Sequence, residues 1–222
     1  MVPGAGVREF EVRIADDGVE FDATLALPPE PTAFVVFAHG SGSSRRSPRN
    51  RMVAGVLQDA GLGTLLVDLL MSEEESDRAN VFDIELLAGR LVAAVDWLTS
   101  HPAAAGLPVG FFGASTGAGA ALWAAADPGV PVSAVVSRGG RPDLAGDRLA
   151  AVRAPTLLIV GGADTVVIEL NRRALAQMTC PAELAIVPGA THLFEEPGTL
   201  AEVAVLARDW FLRYLGQPDA SS

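Results

Sequence analysis

The chain has 222 residues, half of them hydrophobic, with 27 acidic against 16 basic residues and a formal net charge of -11. A chain of that length can bury about 70% of its unfolded surface in one core, and so acidic a balance repels phosphate backbones and argues against nucleic-acid binding. All the basic residues are arginine, which excludes a lysine Schiff base or a P-loop lysine, and the single cysteine, Cys180, excludes an intrachain disulfide or a cysteine metal cluster.

Residues 1–10 lack the basic and apolar regions of a secretory signal. The apolar stretches further on are too short and too interrupted for a membrane helix. A cytoplasmic protein with no membrane association is the expectation. Val7, Phe10, Val12 and Ile14 open an alternating stretch, and a second covers 19–27, with Asp16-Asp17-Gly18 as the turn of an antiparallel hairpin. From Ala33 the pattern changes to short continuous apolar runs at 34–38, 64–67, 109–112, 132–136, 156–160 and 183–187. Such runs mark parallel strands covered on both faces. With the hairpin they predict an eight-stranded, mostly parallel sheet in an α/β fold.

Ile84, Leu87, Leu91, Val95 and Leu98 recur at helical spacing, as do Leu200, Val203, Leu206, Trp210 and Tyr214. Residues 117–126 are small and helix-compatible. No repeat, low-complexity tract or linker divides the chain, so residues 1–222 read as one domain, with 1–6 and 216–222 expected to fray.

The chemistry centres on Gly113-Ala114-Ser115-Thr116-Gly117. A run ending in Phe111-Phe112 precedes it and the small-residue helix follows, so Ser115 falls on a strand-to-helix turn. Glycines on either side let such a strained turn pack against its neighbours. The plain alternative is a serine that caps the helix. A serine hydroxyl needs a base to take its proton during attack, and three histidines are available. His192 lies on a loop between the last strand and the last helix and is assigned as the base. His101 sits before Pro102 as a solvated residue, and His39 ends a strand as a support for the following loop.

The imidazolium formed in the transition state needs a carboxylate. Asp164 follows the 156–160 run through Gly161-Gly162-Ala163 and is favoured; Asp68, at the end of the 64–67 run, competes. Glu169 falls on the helix after Asp164, and Asp143 reads as a turn residue. Two backbone amides, of Thr116 and of Ser41 after His39-Gly40, are the predicted oxyanion donors.

Four segments together resemble the α/β-hydrolase superfamily and, within it, small bacterial dienelactone-hydrolase-like proteins: His39-Gly40-Ser41-Gly42-Ser43, the Ser115 turn, Val160-Gly161-Gly162-Ala163-Asp164 and Gly189-Ala190-Thr191-His192-Leu193-Phe194. The order Ser115, Asp164, His192 is that of α/β-hydrolases. The resemblance implies strand order 1-2-4-3-5-6-7-8 and a site at the carboxyl ends of the parallel strands. Dienelactone hydrolases proper use a cysteine nucleophile where Ser115 stands, which argues against dienelactone as the substrate. Some relatives are joined to a phosphoribosyltransferase domain, for which these residues leave no room.

Residues 137–142 lead quickly toward the next strand, so no large lid is expected. Arg45, Arg46, Arg49, Arg51, Arg138 and Arg141 fall near the mouth. Arg138 and Arg141, with His39, are candidate substrate contacts. The alternative pairs these arginines with the acidic loop Glu73-Glu74-Glu75. The expected activity is hydrolysis of a small carboxylic ester, thioester or lactone through an acyl-enzyme, with no metal or cofactor and a small acyl compound as partner. An acyltransferase using the same triad, and a non-catalytic ligand-binding protein on the same fold, are the alternatives.

Overall fold

Alternating and continuous apolar patterns sort into different parts of one sheet. The computed structural model describes residues 6–16 and 18–216; Asp17 of the hairpin turn, and residues 1–5 and 217–222 of the ends expected to fray, lie outside them. Strands β1 (Arg8–Asp16) and β2 (Val19–Leu27) form the antiparallel hairpin, with Arg8 opposite Leu27. The remaining strands are β3 (Ala33–Ala38), β4 (Leu62–Val67), β5 (Val109–Ala114), β6 (Val132–Arg138), β7 (Thr156–Gly161) and β8 (Ala182–Val187). Their order is β1-β2-β4-β3-β5-β6-β7-β8. β2 meets β4 antiparallel and the pairs from β4 to β8 are parallel.

The continuous runs of β3, β4, β5 and β7 are buried at every position, as strands covered on both faces must be. β1 is an edge, and its outward Glu9, Glu11 and Arg13 deter pairing with another chain.

Helices α1 (Pro48–Asp59), α2 (Ser72–Glu75), α3 (Arg78–Val81), α4 (Ile84–Ser100), α5 (Thr116–Ala125), α6 (Thr165–Leu175) and α7 (Thr199–Leu215) connect the strands. On one face Val53 and Leu57 of α1 and Val203 and Phe211 of α7 pack with Phe37 and Phe112. On the other, Leu91 and Val95 of α4 and Ala121 and Leu122 of α5 pack with Phe34 and Phe111. A short 3-10 segment, Pro142–Ala151, links β6 to the β7 side, and among the described residues no large lid covers the sheet's carboxyl edge. β6 runs further than the predicted 132–136. Ser137 and Arg138 pair with Leu158 and Ile159 of β7, so the loop begins at Gly139 and Arg138 belongs to the sheet.

Candidate active site

Ser115 joins β5 to α5 with φ 51° and ψ -122°. A serine at positive φ is strained and persists only where its surroundings fix it. Those surroundings are backbone. The Ser115 N–H donates to the Arg138 carbonyl at 3.3 Å, and its own carbonyl accepts from Arg141 N at 3.1 Å. At Gly117 a Cβ would overlap the carbonyl oxygens of Ala38 and His39, and at Gly113 the backbone of Ala118. The hydroxyl of Ser115 makes no capping bond to α5, so the helix-cap alternative does not describe it.

His192 and Asp164 meet as their loops require. His192 Nδ1 donates to Asp164 Oδ2 at 2.7 Å, which leaves Nε2 as the ring's free acceptor. The other carboxylate oxygen accepts from Val167 N at 3.4 Å, capping α6. The two loops are laced by their backbones: Ala163 N donates to the Ala190 carbonyl at 2.9 Å and Gly162 N to that of Val187 at 2.8 Å. Gly161 has no room for a side chain beside the Ala190 and Thr191 carbonyls. His192 also packs on the loop that holds Ser115, since a Cβ at Gly139 would lie 3.6 Å from His192 Cε1. No hydrogen bond joins Ser115 Oγ to His192 among the described residues.

The competing groups are occupied elsewhere. Asp68 is bound to the Arg45 guanidinium and accepts from Arg45 N at 2.6 Å. His39 is 6% exposed and both ring nitrogens are engaged: Nε2 accepts from Leu69 N at 3.0 Å and Nδ1 donates to the Gly40 carbonyl at 2.9 Å. His39 therefore holds the β3–α1 loop, with both ring nitrogens already engaged. His101 caps the end of α4 and accepts from Ala103 N. Burial pushes the Cys180 thiol up, away from the reactive thiolate.

Thr116 opens α5, where a backbone N–H has no intrahelical acceptor and the helix dipole favours negative charge. The Ser41 amide is not free in the same way. It donates to Thr116 Oγ1 at 3.0 Å, a bond that an oxyanion would have to displace.

The rim arginines depart from the predicted pairing with Glu73-Glu74-Glu75. Arg141 is bidentate to Asp143 at 2.7 and 2.8 Å, so this candidate substrate contact is neutralised within its own turn. Arg45 is shared by Asp68, Glu11 and Asp22, and Arg51 faces Glu9. Glu74 is taken by Arg90. Arg138 alone of the predicted contacts keeps a carboxylate-free guanidinium among the described residues, donating to Asn50 Oδ1 at 3.3 Å. Burial, then the charge of Arg49, pushes it down to about 10, still charged at neutral pH.

Sequence reading missed Asn50 and Asn171. Asn171 is fully buried on α6 and donates to the Gly140 carbonyl at 3.0 Å, pinning the loop against Ser115. An isolated asparagine in a helical pattern carries no local signal of that reach. Phe194 was legible only as part of a motif, yet it and Ser115 are the non-glycine residues with positive φ among the described residues.

Strand order, elbow and loop placement define the α/β-hydrolase fold. Residues 21–214 match the dienelactone hydrolase family. A dienelactone hydrolase of Anabaena variabilis, known from its crystal structure, is 57% identical with a TM-score of 0.90, covering 94% of this chain and 99% of its own. The chain belongs to the dienelactone hydrolase family. Proteins of Mycobacterium tuberculosis strains CDC 1551 and H37Rv, provisionally named phosphoribosyl transferases, are 63% identical over 215 residues, 97% of this chain. The chain spans about half the length of these curated relatives, 48%. Est1E from Butyrivibrio proteoclasticus shares the fold with a TM-score of 0.79 at 17% identity, over 91% of this chain and 98% of its own.

Proposed function

We propose that this chain is a serine hydrolase that cleaves a small carboxylic ester, thioester or lactone through an acyl-enzyme on Ser115. The observation that carries the reading is the 2.7 Å bond from His192 Nδ1 to Asp164 Oδ2, on a loop packed beside the strained serine. With Nδ1 committed to the carboxylate, Nε2 is available to take the Ser115 proton as Oγ attacks the carbonyl carbon. The tetrahedral oxyanion is held by the Thr116 amide and, once it leaves Thr116 Oγ1, the Ser41 amide. His192 returns its proton to the leaving alcohol or thiol. A water deprotonated by the same nitrogen then attacks the acyl-serine and releases the acid. The transferase name of the mycobacterial relatives belongs to proteins about twice as long, and the geometry around Ser115 favours acyl chemistry over phosphoribosyl transfer.

A fluorophosphonate probe tests this, because it reacts with a serine whose proton a neighbouring base removes. Mass spectrometry should find the adduct on Ser115, with labelling and ester hydrolysis both lost in Ser115→Ala and His192→Ala. Absence of labelling in folded protein, with no hydrolysis of short esters, would show a binding protein on this fold. Because the base must be neutral to accept a proton, the rate should fall in acid; a flat profile would remove His192 from the role.

A further inference from the structure

One short turn, residues 139–141, touches both Ser115 and the His192 loop. Gly139, at φ 51°, faces that loop: a Cβ there would lie 3.1 Å from the His192 carbonyl oxygen and 3.6 Å from Cε1 of the ring. Arg141 N donates to the Ser115 carbonyl at 3.1 Å, and the carbonyl of Arg138, just before the turn, accepts from the Ser115 N–H. Between them the Gly140 carbonyl accepts from Asn171 Nδ2 at 3.0 Å. Among the described residues this is the one side-chain hydrogen bond to the backbone of the turn.

Asn171 lies on α6, seven residues after Asp164, the N-cap of that helix. That spacing is nearly two helical turns, about 10.5 Å along the axis, so the two residues fall on one face. α6 is thereby clamped at two points. Asp164 Oδ2 accepts from His192, and Asn171 holds the turn that holds Ser115. With no hydrogen bond between Ser115 Oγ and His192 among the described residues, their spacing is set by these attachments.

Stability does not account for the asparagine. Its side chain is fully buried, and Nδ2 also donates to the Val167 carbonyl at 2.8 Å, one turn back in its own helix. Its Oδ1 is buried without a partner, a cost that an apolar side chain of the same size avoids. The other buried residues of α6 are Val167, Ile168 and Ala174, so leucine fits the face.

We propose that Asn171 is a positioning residue: through Gly140 it sets the distance and angle between the Ser115 hydroxyl and His192 Nε2. The inference rests on the hydrolase reading above and assigns a further residue to that reaction. Asn171 acts through the turn, and its effect falls on proton transfer from Oγ to Nε2, which requires hydrogen-bond reach. A misplacement of about 1 Å costs on the order of 10²-fold in rate. Because His192 moves a proton in both half-reactions, acylation and deacylation slow together and KM stays.

The experiment compares Asn171→Leu with the wild type and with Gln58→Leu, following hydrolysis of nitrophenyl acetate and labelling by a fluorophosphonate. Gln58 is the control because it too is a buried helical amide, donating to Thr64 Oγ1 at 2.8 Å toward the amino end of β4. In Asn171→Leu, kcat and the labelling rate should both fall by about 10- to 100-fold with KM within about twofold. Gln58→Leu should keep all three within about twofold per folded molecule. In nuclear magnetic resonance the His192 Cε1 proton, beside Gly139, should shift in Asn171→Leu and stay in place in Gln58→Leu. Wild-type kcat in Asn171→Leu, a loss matched by Gln58→Leu, a change confined to KM, or an unmoved His192 resonance each overturns the role. Where the leucine variant does not fold, Asn171→Ser, too short to reach the Gly140 carbonyl, is read by the same outcomes. A wild type that neither hydrolyses the ester nor takes the label counts against the hydrolase reading instead, and the His192 resonance still decides whether Asn171 sets the turn.

Discussion

The two oxygens of Asp164 are divided between two partners. Oδ2 accepts from His192 and Oδ1 accepts from Val167 N at the start of α6. Asparagine caps a helix about as well as aspartate, but its amide cannot hold the imidazole in the required tautomer. Asp164→Asn should therefore lower kcat by about 10⁴-fold with little change in thermal stability, whereas Asp164→Ala should also lose about 1 kcal/mol of stability with the cap. Retention of activity within about tenfold in the asparagine variant would remove Asp164 from the mechanism. Thr116 permits a similar separation. Its hydroxyl holds the Ser41 amide at 3.0 Å, a bond worth about 1 kcal/mol, against about 3 kcal/mol for an oxyanion donor. In Thr116→Val the competitor is gone, so kcat should rise by no more than about fivefold while the melting temperature falls. A tenfold loss would mean that the hydroxyl positions Ser41 for the oxyanion.

At the scale of elements, the Ser115 turn is set by what its neighbours lack. Gly117→Ala would drive a methyl into the Ala38 and His39 carbonyls, backbone that cannot give way without moving the β3–α1 loop. A cost of about 2 kcal/mol or more in denaturant unfolding is expected, with hydrolysis reduced further than stability alone explains; Gly55→Ala, on α1 with open space around it, is the control. The strands were legible because burial on both faces writes itself as continuous apolar runs, and the loops because glycine and proline punctuate them. α1 was not, since its buried positions include Asn50 and Gln58, which break the apolar period. α2 and α3, of four residues each, are too short for any period. The Ser115 turn and the Asp164–His192 pair were legible in order and type. The partners of the arginines were not: Arg45 and Glu11 are 34 positions apart and Arg90 and Asp16 are 74 apart, and no local pattern couples residues across such spans.

Across the whole molecule, those pairs fasten the β1–β2 edge to the loops around the site. Arg45 binds Asp68 beside His39 and reaches Glu11 and Asp22 on the hairpin; Arg90 on α4 holds Asp16 and Glu74. Within this network burial pushes the Glu11 carboxyl up, but hydrogen bonds from Arg45 and Thr24 and the charges of Arg45 and Arg46 outweigh it, so the net effect holds it below its ordinary 4.5. A carboxyl with a lower pKa folded than unfolded binds fewer protons in the native state, so stability rises with pH across that interval. The contribution is complete above about 4.5 and is lost as pH falls through the lower folded value. Urea midpoints measured between about pH 6 and pH 3 should therefore drop in the wild type. Glu11→Gln should be less stable than wild type at pH 6 and lose less on acidification, so that the two curves approach each other in acid. Parallel curves would show that Glu11 contributes nothing to the acid sensitivity and that the fastening of the hairpin rests on Asp68 and Asp22 instead.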